Sequence, residues 1–242
     1  MKRILICAAA VLVTACHRDT RPDPLPGFPR VMLWAWERPE DLSFAQPQTA
    51  GVAFLARTIS WRNGEMNFRP RLQPLHVSQG AALMAVVRLE SGGEPLPDAA
   101  AVALETAKAV QIEGVSVRAL QVDFDAKGSE REWYRGLLTR LRESLPASMP
   151  LSITALASWC QFDGWIANLP VSDAVPMLFR MGAGESFPGG DFRVPICRSS
   201  VGISTDETPP AVPRGRRIFV FNPRPWSETT YRWALERVRK WQ

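Results

Sequence analysis

At 242 residues, with 46% hydrophobic, 22% charged and 9% aromatic, the chain has ordinary globular composition, which excludes disordered, collagen-like and coiled-coil classes. The formal charge is +5, or +3 once Lys2 and Arg3 are set aside with a leader. The basic residues are scattered, with RGRR at 214–217 the only tight cluster, so a nucleic-acid partner is not expected. Beyond the N-terminus no apolar run approaches the roughly 20 residues of a spanning helix, which excludes a helical multi-pass membrane protein.

Lys2 and Arg3 precede the apolar stretch ILICAAAVLV (4–13), which has the length of a signal-peptide core. Val13-Thr14-Ala15-Cys16 follows, and small residues before a cysteine resemble a bacterial lipobox. Residues 1–15 therefore read as a lipoprotein signal peptide and Cys16 as the acylated new N-terminus. His17 rather than Asp follows that cysteine, which by the same resemblance favours the outer membrane, facing the periplasm or the cell surface. Residues 16–29 are Pro-rich and poor in apolar material, so they read as a tether, with the globular domain over 30–242.

Eight short β-rich runs then recur: 31–36, 51–56, 82–89, 119–125, 151–157, 174–179, 200–205 and 218–222. Helical patterns separate several of them. Residues 97–111 are Ala-rich behind Asp98 as N-cap. Residues 129–145 open with a Ser129–Glu132 capping box and carry Trp133, Leu137, Leu138 and Leu141 on one face. Residues 227–241 place Tyr231, Leu235 and Val238 at helical spacing behind Ser227. The intervals 57–81 and 180–199 lack a helical pattern. This alternation, with no change of composition to mark a boundary, predicts one α/β domain, a single (β/α)8 barrel with one or two helices shortened or missing. The rival is an open doubly wound sheet, which should carry a Gly-rich phosphate turn that is not seen.

Without the leader and Cys16, only Cys160 and Cys197 remain to pair. The first should follow a strand at one end of the fold and the second precede a strand at the other, so no bridge is expected. With only His17 and His76 in the chain, neither a metal nor another cofactor is expected.

Strand alternation sorts side chains into two faces. In the fourth run Leu120, Val122 and Phe124 should face the helices, leaving Gln121, Asp123 and Asp125 inside. The third run likewise turns Arg88 and Glu90 inward. Ser152, Thr154, Arg180 and Asn222 join them from later runs. The polar residues gather at the C-terminal ends of the strands, where barrel enzymes hold their sites. Trp34, Trp36, Trp61, Trp159 and Trp226 fall near the same ends or in the loops after them, and tryptophan faces suit sugar rings. Carboxylates ringed by tryptophan suggest carbohydrate, whose hydrolysis takes two carboxyl groups. The bland alternative is a buried network in which Arg88 and Arg180 satisfy Asp123 and Asp125. Asp123, the deeper of the two, is expected to pair with Arg88, so that Asp123→Ala would destabilise the fold while Asp125→Ala would not.

Several strings together, VMLWAWERPEDL (31–42), QVDFDA (121–126) with Ser129-Glu130-Arg131, SITALASWC (152–160), VPMLFRMG (175–182) and STDE (204–207), resemble the bacterial domain-of-unknown-function 3142 family across most of the mature chain. That resemblance implies no established activity, though its members are similar in outline to barrel glycosidases. A weaker resemblance is to the chitinase type, whose fourth-strand motif ends in alternating Asp residues. Asp123 and Asp125 match that pair, but Lys127 stands where the motif has its Glu acid and Leu120 where it has its leading Asp. A proton donor would then be Asp125 itself, Glu90, or the Asp206-Glu207 pair. The expected function is glycosidase-like action on an envelope or extracellular polysaccharide. Asp125 would be the acid/base with Asp123 tuning it, and Glu207 or Glu90 the second carboxylate. Arg88, Arg180, Trp34, Trp36, Trp159, Asn222 and Trp226 would bind the sugar. The alternative is a degenerate barrel that only binds glycan or serves as a structural lipoprotein. Expected partners are a glycan and, through the lipid anchor alone, the membrane. The chain is read as a monomer.

Overall fold

The computed structural model describes residues 22–182, 187 and 189–241. The expected signal peptide, Cys16 and the first residues of the tether lie outside them. The described elements run β1 (Val31–Ala35), β2 (Glu40–Leu42), β3 (Ala50–Arg62), β4 (Glu65–Pro70), β5 (Leu75–Val77), β6 (Leu83–Ser91), α1 (Ala99–Ala107) and β7 (Val117–Asp123). They continue with α2 (Arg131–Ser144), β8 (Leu151–Leu156), β9 (Asp173–Met177), β10 (Ser200–Ser204), β11 (Arg217–Phe221) and α3 (Glu228–Arg239).

Eight of these strands pair in parallel in the order β1-β11-β10-β9-β8-β7-β6-β3, and β1 also pairs with β3, so the sheet closes on itself. Each of the eight apolar runs supplies one barrel strand. Closure removes sheet edges and sends every strand's N-terminal end to one face, the floor, and every C-terminal end to the other, the mouth. The interior holds Met32, Trp34, Met84, Val86, Val175 and Phe219, whereas Leu120, Val122 and Phe124 join the outer core with Leu137, Leu138 and Leu141 of α2. Strand parity was thus legible. Trp34 fits inside because Gly202 on β10 has no side chain; a Cβ there would lie 2.8 Å from the indole.

The three α-helices among the described residues are the three the sequence patterns mark, fewer than a (β/α)8 barrel lacking only one or two would have, so the molecule is a closed parallel barrel with few helices. α1 begins at Asp98, which accepts from Ala100 N and Ala101 N as expected. α2 is entered differently. Instead of a Ser129–Glu132 box, Glu130 accepts from Lys127 N at 2.8 Å. Where helices are missing, short elements cover the wall. β3 runs well beyond the predicted 51–56, bulging between Leu55 and Arg57, and its far half pairs antiparallel with β4 as a hairpin above the mouth. Between β8 and β9 there is one five-residue helical turn, Trp159–Asp163.

Two expectations are corrected here. Cys160 and Cys197 form a disulfide, with Cα atoms 5.9 Å apart. Cys160 lies in the turn that carries the chain back down the outside, and Val194 N donates to Cys160 O at 3.1 Å, so the two sulfurs meet on the outer wall rather than at opposite ends. Because the bridge closes 37 residues of sequence, its loss should lower stability by about 4 kcal/mol in the loop-closure estimate. Urea melts with and without reductant, and of Cys160→Ser, measure this; an unchanged midpoint would show that the outer wall holds without it.

Residues 22–29, expected to be free tether, instead pack against the floor. Leu25 and Phe28 are buried against the interior core, because a barrel left open at its floor would expose Met32 and Phe219. Arg217, at the start of β11 and 1% exposed, fastens this plug. It donates to both Asp23 carboxyl oxygens at 3.0 and 2.9 Å and to the carbonyls of Leu25, Phe28 and Pro29.

Candidate functional site

A cavity of about 640 Å³ opens at the mouth. Trp34 and Trp36 reach it from β1 and the turn after it, Arg88 and Glu90 from β6, Asp123 from the end of β7, Thr154 from β8, and Asp125 and Arg180 from the following loops. Of the candidates named above, seven converge here: Asp123, Asp125, Glu90, Arg88, Arg180, Trp34 and Trp36.

One wall is aromatic. Phe179 and Phe221 stack with centroids 5.6 Å apart and planes 3° from parallel. Trp36 meets Phe221 edge-on at 6.4 Å. Two guanidiniums lie over this wall, Arg88 at 5.7 Å from the Trp36 ring and Arg180 at 5.7 Å from Phe221. Tryptophan alone was counted in the sequence, so the two phenylalanines were missed; each falls near the C-terminal end of a predicted run, 174–179 and 218–222, which would have marked them.

The opposite wall is acidic. Asp123 is half-buried and accepts from Thr154 Oγ1 at 2.7 Å. Burial raises its pKa above the ordinary carboxylate value, opposed by the Thr154 hydroxyl and the Arg88 charge and reinforced by Asp125 and Glu90. Asp125 is more open to the cavity, yet burial raises it too, with Arg88 again opposing. Burial is the leading cause of both shifts.

The expected Asp123–Arg88 ion pair is not formed. The two residues are register partners on β6 and β7, but the Arg88 Nε pairs with Glu90 Oε1 at 3.0 Å instead. The alternation along β6 puts Glu90 on the same face two residues on, within easier reach than a carboxyl held by Thr154. Asp123 thus lacks the partner whose loss would have made Asp123→Ala destabilising. Glu130, a carboxylate the sequence reading missed as a site residue, also lines the cavity; it is buried and accepts from Ser91 Oγ and Lys127 N.

The remaining candidates lie elsewhere. Glu207 holds the rim: both its oxygens accept from Arg180 N, at 3.2 and 3.1 Å, while Asp206 Oδ2 takes Arg180 Nη2 at 3.0 Å. Arg180 has φ of 51°, a left-handed conformation that a non-glycine residue adopts only when its surroundings impose it, and these carboxylates do so. Asn222 is buried, accepting from Thr205 Oγ1 and donating to the carbonyls of Arg224 and Pro225. Trp226 is core, its Nε1 donating to Trp34 O at 2.9 Å. Trp159 packs edge-on against Trp165 at 5.1 Å beside the disulfide, and Trp61 packs against Trp133 and Phe124. In each case a long indole was cheaper to bury against a neighbour than to leave at the rim.

Residues 79–175 match the family model described as Domain of unknown function (DUF3142). The match takes in β6, β7 and β8 with Arg88, Glu90, Asp123, Asp125, Glu130 and Thr154, which is the acidic wall of the cavity. It is narrower than the resemblance read from the sequence, since Trp34, Trp36, Phe179, Arg180 and the STDE string fall outside it. No curated protein and no solved structure matches the chain.

Proposed function

We propose that the chain is a lipid-anchored envelope protein of the outer membrane whose barrel, a (β/α)8 barrel with most helices lost, binds and hydrolyses a glycan at its mouth. The observation that carries this reading is the cavity with two raised carboxyls, Asp123 and Asp125, facing the Trp36–Phe221–Phe179 wall. A sugar ring lies against the aromatic faces with its hydroxyls toward the acids. Asp125, open to the cavity and with its pKa raised by burial, is the acid that gives a proton to the leaving oxygen as the glycosidic C–O bond breaks. Glu90, beside Arg88, is the second carboxylate, which directs the water that completes hydrolysis. Glu207 is tied to Arg180 and positions the rim.

Purified protein offered a panel of envelope and extracellular polysaccharides is expected to release reducing ends. Asp125→Asn should lower that rate by about 10²–10⁴-fold while retaining binding. Binding without release by the unaltered protein would select the non-catalytic glycan-binding reading, and neither binding nor release would overturn both. Because burial disfavours the charged forms, Asp123→Asn and Asp125→Asn should leave the melting temperature unchanged or raised at neutral pH. A large fall in both would make the pair structural.

A further inference from the structure

The RGRR cluster at 214–217 has no part in the mouth, and the fold gives it company that the sequence does not. Its last two residues turn inward: Arg216 is paired with Asp191, and Arg217 with Asp23. The exposed Arg214 remains at the floor. Arg30, exposed, reaches Gly215 O with its Nη1 at 2.7 Å. Arg118, exposed, lies 5.3 Å from the Phe28 ring of the floor plug. Gly215 N donates to Trp241 O at 3.0 Å, bringing the end of α3 with Arg239 and Lys240 to the same face. Arg30, Arg198, Ser199 and Gly215 also line a cavity of about 130 Å³ there. The acids at this end are fewer than the bases: Asp23 and Asp191 are paired, Asp173 is buried, and Glu113, Glu143 and Glu236 are the exposed carboxylates on neighbouring turns.

We propose that this basic floor is a docking surface for the phosphate-bearing headgroups of anionic phospholipid in the membrane that anchors the chain. The occupant follows from two observations, charge and reach. Arginine forks suit phosphate oxygens. Pro22, the first described residue, lies on the floor, six residues after Cys16, and six residues span at most about 22 Å. The inference rests on the lipid-anchor reading for the nearness of the bilayer. Basic residues held near an anionic surface add their own attraction to that of the anchor. Docking by the floor also sets the mouth facing away from the bilayer.

The test is co-sedimentation of the full chain with vesicles of phosphatidylcholine alone and of phosphatidylcholine with phosphatidylglycerol, at low and high salt. Each arginine near such a surface is worth about fivefold in affinity, so Arg30→Gln, Arg118→Gln and Arg214→Gln together should weaken binding to the anionic vesicles by about a hundredfold. Binding to the neutral vesicles should not change, and the anionic preference should fade with salt. Should that variant fold poorly, Arg214→Gln with Arg239→Gln and Lys240→Gln, all at exposed positions, gives the same comparison. Equal binding to both vesicle types, or an unaffected variant, would overturn the proposal. So would tighter binding to duplex DNA than to the anionic vesicles at the same salt, which would make the floor a nucleic-acid surface. Failure of the anchor reading shows separately, as the lack of an acyl mass on Cys16.

Discussion

Replacing Arg217 by alanine is expected to cost about 1–3 kcal/mol of stability for each buried carbonyl left without its donor, the exposed Asp23 adding little. The guanidinium is nearly inaccessible and its donors are all directed at the plug: two at Asp23 and the others at the carbonyls of Leu25, Phe28 and Pro29. Burial pushes the Asp23 carboxyl up, but hydrogen bonds from Arg217 and Leu25 N, with the charges of Arg217 and Arg30, hold it below its ordinary value. Without Arg217, Asp23 loses its counter-charge, the carbonyls lose their donors, and Leu25 and Phe28 lose the clamp that keeps them over the interior. Arg217→Lys should recover little, since a single ammonium cannot reproduce a planar fork. Denaturant melts measure the effect. A loss below about 1 kcal/mol would mean that the plug holds by apolar contact alone.

The second large effect is a fall in stability with rising pH, traced to Asp173. This residue opens β9 at the floor, fully buried, and neither carboxyl oxygen has a hydrogen-bond partner among the described residues. Burial raises its pKa to about 7, against the nearby Ser200 hydroxyl and the charges of Arg217 and Arg216, and with Asp23 adding to the rise. In the unfolded chain it returns to an ordinary value near 3.8. Between those values the folded state binds the proton more tightly. The stabilisation is therefore complete below about pH 4, declines as pH rises through 7, and then levels off. Over that window the loss is roughly 4 kcal/mol, at about 1.4 kcal/mol per pH unit. Asp173→Asn keeps the shape without the charge, so it should flatten the profile and exceed the unaltered protein in stability at pH 8. Equal pH profiles for the two proteins would assign the dependence to other carboxyls, of which Asp123 and Asp125 act with the same sign.

What could be read in advance was what alternation encodes. Leu120, Val122 and Phe124 against Gln121, Asp123 and Asp125 is a two-residue period, and burying one face of a strand leaves it a single register. Hence the barrel strands and the inward acids were visible. The three helices were visible too, at 97–111, 129–145 and 227–241; the further helices of a (β/α)8 barrel are missing because a connection need only span two strand ends, and β4, β5 or a single turn at Trp159–Asp163 covers the wall as well. Partner choice was also hidden. Glu90 outcompetes Asp123 for Arg88 by nearness along one strand, and Arg217 looks like a surface cation until the chain some 190 residues earlier folds over it. Leu25 and Phe28 passed as tether because two apolar residues among prolines carry no period.

The hairpin of β3 and β4 changes what kind of ligand the mouth can admit. Its underside forms a second hollow of about 430 Å³, walled by Ser60, Trp61, Arg62, Met66 and Asn67, and this hollow shares Glu90 and Ser91 with the main cavity. The two hollows therefore adjoin at the end of β6, with Glu90 between them. A trough open along its length takes the interior of a chain, whereas a closed well takes only a terminus. On the proposed hydrolytic reading, a polymer spanning both hollows is expected to be cut at internal bonds, so its average length would collapse early, well before single sugars accumulate.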